Sequence, residues 1–187
     1  MGSGKGSNFR AILDVVRGGA LGVEIAVVLS DEAAAGILTL ARGAGIAARV
    51  IGESKFRTKL SPDVEAGVVE ALRREGVELV VLAGYMRMVG APLLEAYPRR
   101  IINIHPSLLP KYPGLEAWRQ ALEAGEAVTG CTVHFVDAGM DTGEVIEQSE
   151  VSVLAGDTAE SLHERIQLAE HVLLPRVIGR FARREIA

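Results

Sequence analysis

The sequence predicts an α/β fold: a mostly parallel, twisted sheet with helices on both faces and an antiparallel extension. Helical and strand patterns alternate through the first half of the chain, which is the order that parallel sheets require. The segment 77–83 (VELVVLA) is an almost continuous apolar run, as expected for a strand buried on both faces. Two successive strand patterns in the second half break the alternation and predict the antiparallel extension.

Each element predicted in the first half is based on its own sequence pattern. The first helix has Phe9, Ile12, Leu13 and Val16 at helical spacing, so one of its faces is apolar. The strands are short, β-branched apolar runs between polar or glycine-containing turns. The pattern predicts helices at about 8–17, 33–43, 62–75 and 91–96, and strands at 23–29, 47–51, 77–83 and 100–105.

The second half is predicted as helix, strand, strand and long helix, at 116–124, 129–136, 144–153 and 158 to about 184. The last helix begins with Asp157-Thr158-Ala159-Glu160, which has the spacing of a capping box with Asp157 as the cap. Pro175 lies inside this helix and lacks a backbone N–H, so we expect it to kink or divide the helix.

Composition narrows the classes of protein. The chain has 187 residues, of which 49% are apolar and 24% charged, as is usual for one globular domain. Its net charge of −4 with no basic block argues against nucleic-acid or membrane partners. The only cysteine, Cys131, lies in an apolar strand, where a buried small hydrophobe is expected. No apolar run reaches the ~18 residues that span a bilayer, and we expect a cytoplasmic protein.

A candidate site for attack on a carbonyl lies at the end of strand 100–105. Asn103 and His105 are two residues apart on this strand, so their side chains face the same side. An amide that can donate to an oxyanion, beside an imidazole that titrates near neutrality, suits acyl transfer. Three prolines in the next eight residues stiffen the following loop. The alternative is a turn asparagine beside a buried structural histidine.

A second polar segment is the glycine-rich loop after strand 129–136. Asp141 lies there between Gly139 and Gly143, in a tight turn that can present one carboxylate. We expect Asp141 to approach Asn103 and His105. The alternative is a loop residue that caps its own turn.

The N-terminal segment Met1–Asn8 (MGSGKGSN) has two possible interpretations. By composition it is a flexible tail. It runs directly into the amphipathic first helix, however, and glycines at a helix N-terminus expose backbone N–H groups that can bind a phosphate.

These motifs together resemble the folate-dependent glycinamide ribonucleotide formyltransferases. The resemblance rests on six segments in the expected order: SGKGSN (3–8), LAGYMR (82–87), NIHPSLLPKYPG (103–114), GCTVHFV (130–136), MDTG (140–143) and AEH (169–171). It implies a formyltransferase fold whose first half is a Rossmann-like mononucleotide-binding unit. The single domain 1–187 would have a nucleotide-binding half at about 1–98 and a catalytic, folate-binding half at about 99–187.

The resemblance implies transfer of a formyl group from 10-formyltetrahydrofolate, a cosubstrate, to the amine of phosphoribosylglycinamide, with no metal, in purine biosynthesis. Asn103 and His105 would face the oxyanion, and Asp141 would favour the charged form of His105. Alternatives are hydrolysis of the same folate and an inactive relative that only binds folate or nucleotide. Transfer-RNA formylation is least expected, because that enzyme carries a further domain. We expect a monomer or weak homodimer.

The resemblance also implies binding residues. Those for the ribonucleotide are Gly6, Ser7, Asn8, Pro106, Gln167 and Glu170. Those for folate are Lys59, Met86, Arg87, Met88, Val89, Asn103, Val136 and Asp141, with Ser61 as the alternative to Lys59 near the folate tail. His134 and Ser107 are expected to support the site, whereas His163 and His171 are expected to be structural or at the surface.

One departure from the family concerns the N-terminus. The family has a short apolar strand before the phosphate loop, and this strand is missing from the sequence. We therefore expect unpaired backbone groups and exposed core beside the loop.

Overall fold

The structure is a computed structural model that describes residues 1–52, 56 and 58–186. It confirms the kind and order of every predicted element. The elements are α1 (Ser7–Arg17), β1 (Val28–Ser30), α2 (Gly36–Gly43), β2 (Ala48–Val50), α3 (Pro62–Arg74), β3 (Val80–Leu82), α4 (Ala91–Ala96), β4 (Ile101–His105), α5 (Ala117–Glu123), β5 (Val128–Phe135), β6 (Val145–Ser152) and α6 (Ala159–Ala182).

The strands form two hydrogen-bonded groups. β1 and β2 pair in parallel, and the second group has the order β3-β4-β5-β6. Within it β3 and β4 are parallel, whereas β4–β5 and β5–β6 are antiparallel. The antiparallel extension predicted from the sequence is thus confirmed, and it covers the edge of β4 that faces away from β3.

The extended residues 1–3 join the two groups of strands. The Met1 ammonium donates to the carbonyl of Val81 at 2.6 Å, and Ala83 N donates to the Met1 carbonyl at 2.9 Å. On the other side, Gly2 N donates to the Leu29 carbonyl at 3.2 Å. These three residues therefore anchor the glycine-rich loop, so the expectation of unpaired backbone groups is wrong at Leu29, Val81 and Ala83.

A cavity of about 660 Å³ lies on the N-terminal side of the paired parts of β1 and β3. Residues 22–29 and 75–81 form part of its lining. The strands predicted at 23–29 and 77–83 are correspondingly shorter, since only Val28–Ser30 and Val80–Leu82 are paired as strands. The exposed core that the sequence analysis expected beside the missing strand is therefore present here, where Ile25, Val27 and Leu79 are only half-buried.

Helix α6 packs its apolar residues against β4, β5 and α1 to form the largest core cluster. The fully buried members from α6 include Leu162, Ile166, Leu174 and Val177. They meet Ile102, Ile104, Cys131 and Val133, so the strands that carry the candidate site lie on a densely packed layer.

The structure corrects two details of α6. Its cap is Thr158, which forms a capping box with Ser161, whereas Asp157 binds Arg165. Pro175 does not divide the helix, which continues as one element from Ala159 to Ala182. A buried proline can stay inside a helix when packing on both sides outweighs one lost hydrogen bond. Neither α6 nor another helix in the described residues has an apolar stretch that could cross a membrane.

Two leucines on α6 test the role of this packing. Leu162 is fully buried and Leu168 is 65% exposed. We expect Leu162→Ala to lower the free energy of unfolding by about 2–5 kcal/mol, because it leaves a cavity. Leu168→Ala should change it by less than about 0.5 kcal/mol. Urea unfolding of both variants measures the difference, and equal effects would contradict the described packing.

Candidate active site

Asn103 and His105 project from β4 toward the loop that carries Asp141. The Asn103 amide nitrogen lies 3.4 Å from Asp141 Oδ1, and His105 Nδ1 lies 3.3 Å from Asp141 Oδ2. The structure therefore brings these three predicted residues together, although Asp141 is nearly forty positions further along the chain. The His105 side chain is 5% exposed and that of Asp141 is 14% exposed.

The backbone of two loops shapes the surroundings of Asp141. Asp141 itself has φ 55°, a left-handed conformation that aspartate tolerates better than most residues. Its Oδ2 also accepts a hydrogen bond of 2.9 Å from Gly114 N. Gly114 has φ 84°, so a side chain there would be strained. The end of the proline-containing loop thus holds the carboxylate beside β4.

Neighbouring hydrogen-bond acceptors indicate which ring nitrogens of His105 and His134 carry a proton. His105 Nε2 lies 2.8 Å from the carbonyl of Tyr112, which can only accept, so Nε2 is the donor. Protonation of His105 therefore occurs at Nδ1, beside Asp141. His134 Nδ1 similarly donates to the Phe135 carbonyl at 2.8 Å. His134 Nε2 lies 3.2 Å from the Asn103 amide nitrogen and 3.6 Å from Asp141 Oδ1.

The pKa shifts at the site favour a neutral His105 and an ionised Asp141. Burial lowers the pKa of His105 more than Asp141 and the Tyr112 carbonyl raise it. Asp141 thus favours the charged form of His105, as the resemblance implies, but burial outweighs this attraction. Burial also raises the pKa of Asp141, but contacts with His134, Gly114 N–H and His105 outweigh it, so that pKa lies below its usual value.

Buried polar contacts fix the loop that follows β4. Ser107 Oγ donates to the Lys111 carbonyl at 2.6 Å, and Thr132 Oγ1 donates to the Ser107 carbonyl at 2.6 Å. Gln148 Nε2 donates to the Leu109 carbonyl at 2.9 Å. Ser107 thus stabilises the backbone that carries the Tyr112 carbonyl and Gly114 N–H. Pro106 is half-buried at the start of this loop.

The N-terminal loop ends at the first turn of α1. Gly6 is the cap residue, with φ 84°, and a β-carbon there would lie 2.9 Å from Ile37 Cα. The first backbone N–H groups of a helix have no intrahelical partner and can bind an anion. Ser7 and Asn8 occupy these first positions, as a phosphate-binding loop requires. Ordered backbone contacts of residues 1–3 argue against the flexible tail.

Asn8 connects this loop to α6. Its amide donates to Glu170 Oε2 at 2.8 Å, while its own Oδ1 is buried and has no hydrogen-bond partner among the residues that the structure describes. Burial raises the pKa of Glu170 to about 7, and the bond from Asn8 partly opposes the shift. Gln167, one turn earlier on α6, is half-buried, and its Nε2 lies 3.4 Å from His163 Nε2. Asn8 Oδ1 and Glu170 together offer acceptors for a polar ligand.

The loop 85–89 follows β3 at the same edge of the sheet. Met86 is 61% exposed, whereas the side chain of Val89 is buried in the core and leaves only its backbone for a ligand. Val136 packs against the same core cluster. Exposed Lys59 pairs with Met88 as an isolated parallel bridge, so its backbone lies beside this loop.

One residue that the sequence analysis did not single out lies between these loops. Asp31, immediately after β1, accepts hydrogen bonds from Ser3 Oγ and Arg87 Nε, both at 2.6 Å. The carboxyl ends of neighbouring parallel strands meet at one edge of a sheet, and this rule could have identified Asp31 as a candidate.

His163 and the cysteine have structural surroundings. His163 stacks on Trp118 with the ring centroids 3.7 Å apart. Cys131 is fully buried, and burial raises the pKa of its thiol to about 12. Among the residues that the structure describes, no group of three or more His, Cys, Asp or Glu is arranged to hold a metal ion.

The parallel strand ends, the glycine-rich loop and the buried Asn–His–Asp cluster define an α/β protein with a candidate acyl-transfer site. Residues 1–178 match the formyl transferase family, and the chain belongs to this family. The chain is 47% identical over 182 residues to the trifunctional purine biosynthetic protein adenosine-3 of Drosophila pseudoobscura, covering 96% of this chain and 13% of the relative. For the human protein of the same name the identity is 41% over 176 residues, covering 94% of this chain and 17% of the relative.

Solved structures match this chain over most of their own length. Glycinamide ribonucleotide transformylase 1 from Symbiobacterium toebii has a TM-score of 0.94 and 49% identity, covering 100% of this chain and 87% of that chain. Phosphoribosylglycinamide formyltransferase from Bacillus halodurans has a TM-score of 0.91 and 40% identity, covering 99% and 94%. The chain thus spans most of these structures, but less than a fifth of the curated relatives.

The raised pKa of Glu170 predicts how stability depends on pH. The ordinary value is 4.5 and the folded value is about 7, so the unfolded chain ionises first as pH rises. Stability should therefore fall between about pH 4.5 and pH 7. We expect Glu170→Gln to remove this part of the pH dependence, as measured by urea unfolding across that range. Glu164→Gln, on an exposed position of the same helix, should keep it.

Proposed function

We propose that the chain transfers the formyl group of 10-formyltetrahydrofolate to the amine of phosphoribosylglycinamide. The observation that carries the proposal is the convergence of Asn103, His105 and Asp141 at the end of β4. Membership of the formyl transferase family supports it, as do the two structural relatives named for this activity. The products are formylglycinamide ribonucleotide and tetrahydrofolate, as purine biosynthesis requires.

The reaction needs alignment, oxyanion stabilisation and proton movement. The substrate amine attacks the formyl carbon, a C–N bond forms, and the carbonyl oxygen acquires negative charge. The Asn103 amide nitrogen lies 3.2 Å from His134 Nε2, and its second N–H makes only a 3.4 Å contact with Asp141. That N–H is the donor for the oxyanion. Collapse of the intermediate breaks the bond to folate N10, which receives a proton.

His105 and Asp141 form the proton-transfer pair in this proposal. The proton that His105 gains is carried on Nδ1, 3.3 Å from the Asp141 carboxylate. Neutral His105 can therefore accept a proton from the attacking amine, and the imidazolium that results is stabilised by Asp141. No protein nucleophile is required, because the amine itself attacks.

Two binding regions flank this pair. The N-terminus of α1, with Gly6, Ser7 and Asn8, binds the phosphate, while Gln167 and Glu170 bind the ribose. Folate lies along residues 86–89 with Val136, Asn103 and Asp141 at its reactive end, and Lys59 near its tail. Pro106 borders the ribonucleotide. Exposed Met86 and exposed Lys59 support this assignment.

The proposal includes one domain with a nucleotide-binding half at about 1–98 and a catalytic half at about 99–187. It also includes a cytoplasmic location and a monomer or weak homodimer. Its partners are the two small-molecule substrates alone.

A coupled assay of formyl transfer tests the function. We expect wild-type protein to release tetrahydrofolate only when phosphoribosylglycinamide is present, and Asn103→Ala and His105→Ala each to lose roughly 10²-fold or more of kcat/KM. His171→Ala is the histidine control and should retain activity. Equal formyl release with and without the ribonucleotide would identify hydrolysis, and binding without turnover would identify an inactive relative.

Asp141→Asn tests the carboxylate separately. The substitution removes the negative charge beside His105. The pKa of His105 should then fall further, because less electrostatic attraction opposes the effect of burial. We expect turnover to drop by roughly 10²–10⁴-fold and the pH–rate profile to move to lower pH, while the circular dichroism spectrum is unchanged. Asp137→Asn, in the exposed part of the same loop, should keep most of the rate. Near-wild-type turnover of Asp141→Asn would refute the role.

A further inference from the structure

The carboxylate of Asp31 holds together the two loops that flank the candidate site. Its Oδ1 accepts from Ser3 Oγ, and its Oδ2 accepts from Arg87 Nε, each at 2.6 Å. The Asp31 side chain is 5% exposed and the Arg87 side chain is 15% exposed. This is a largely desolvated ion pair in which each carboxylate oxygen serves a different loop.

Further bonds tie the same two loops to each other. Ser3 Oγ accepts from Met86 N at 3.0 Å, and Ser3 N donates to the Gly84 carbonyl at 2.9 Å. Arg87 Nη1 donates to the Phe56 carbonyl at 2.6 Å. The start of the phosphate loop and the segment 84–87 therefore share one acceptor and contact each other directly.

The geometry limits what Arg87 can do for a ligand. Two nitrogens of its guanidinium are engaged by Asp31 and by the Phe56 carbonyl, which fixes the plane of the group. Attraction to Asp31 raises the pKa of Arg87 further. The Arg87 side chain thus shapes its loop, and the backbone of residues 86–89 remains for folate.

A shared, charged acceptor makes the positions of the two loops interdependent. Charge-assisted hydrogen bonds are short and directional, and breaking one side leaves a buried charge incompletely paired. A ligand that holds either loop in place therefore reduces the ordering that the other ligand must impose. Such a coupling must be reciprocal between the two ligands.

We propose that Asp31 is a positioning residue that couples ribonucleotide binding at the 3–8 loop to folate binding at the 84–89 loop. The inference rests on the proposed function, because it takes these two loops as the binding sites for the two substrates. Asp31 touches neither substrate; it acts through Ser3 and Arg87.

Calorimetry with phosphoribosylglycinamide and tetrahydrofolate tests the coupling, because this pair has no formyl group to transfer. For the wild type we expect saturating tetrahydrofolate to tighten phosphoribosylglycinamide binding by roughly 5-fold or more. In Asp31→Asn, which removes the charge at nearly constant shape, the two affinities should become independent. Ser3→Ala leaves the Asp31–Arg87 pair intact and should also lose most of the coupling. This variant provides the test if Asp31→Asn does not fold.

Asp157→Asn is the matched control. Asp157 is also 5% exposed and is paired with an arginine, Arg165, at the start of α6. This variant should lose thermal stability but keep the wild-type ratio of affinities with and without tetrahydrofolate.

The outcomes separate the inference from the proposed function. If wild-type protein binds neither compound, the proposed function fails and the inference fails with it. If both bind independently in the wild type, or if Asp31→Asn weakens both but preserves their ratio, only the inference is overturned, because a purely structural role would leave the ratio unchanged.

Discussion

The candidate site depends on keeping the Asp141 carboxylate ionised where little water reaches it. A charge in such a place needs donors, and the fold supplies them from three separate segments: β4, the end of the proline-containing loop, and β5. Gly114 N–H and the ring of His134 lower the pKa of Asp141 against the effect of burial. The site is therefore a property of the assembled sheet and cannot exist on any one segment.

The ionised carboxylate determines the electrostatics of its neighbours. His105 is buried, which disfavours its charged form, and only Asp141 and the Tyr112 carbonyl oppose this. The result is a histidine that is neutral at rest but has a stabilising partner at the nitrogen that would receive a proton. Perturbed pKa values in adjacent buried groups are typical of acid–base sites. The Asn103 amide gains a fixed orientation from His134 in the same network.

A buried carboxylate also connects separate segments where the strands β1 and β3 end. Asp31 is a second buried carboxylate, and it too is shared between separate segments of chain. The two carboxylates differ in their partners, however. Asp31 faces a permanent cation and a hydroxyl, so its interactions are structural, whereas Asp141 faces a group that can gain or lose a proton. That contrast distinguishes a residue that positions loops from one that takes part in chemistry.

The sequence was sufficient to predict the order and kind of the elements, because apolar periodicity and glycine-rich turns are local properties. It also paired Asn103 with His105, since alternate residues of a strand share a side. Tertiary contacts were needed to show that Thr158 caps α6, that burial lowers the pKa of His105, and that Asp31 joins two loops. These depend on burial and on contacts between residues distant in the chain, which no local pattern encodes.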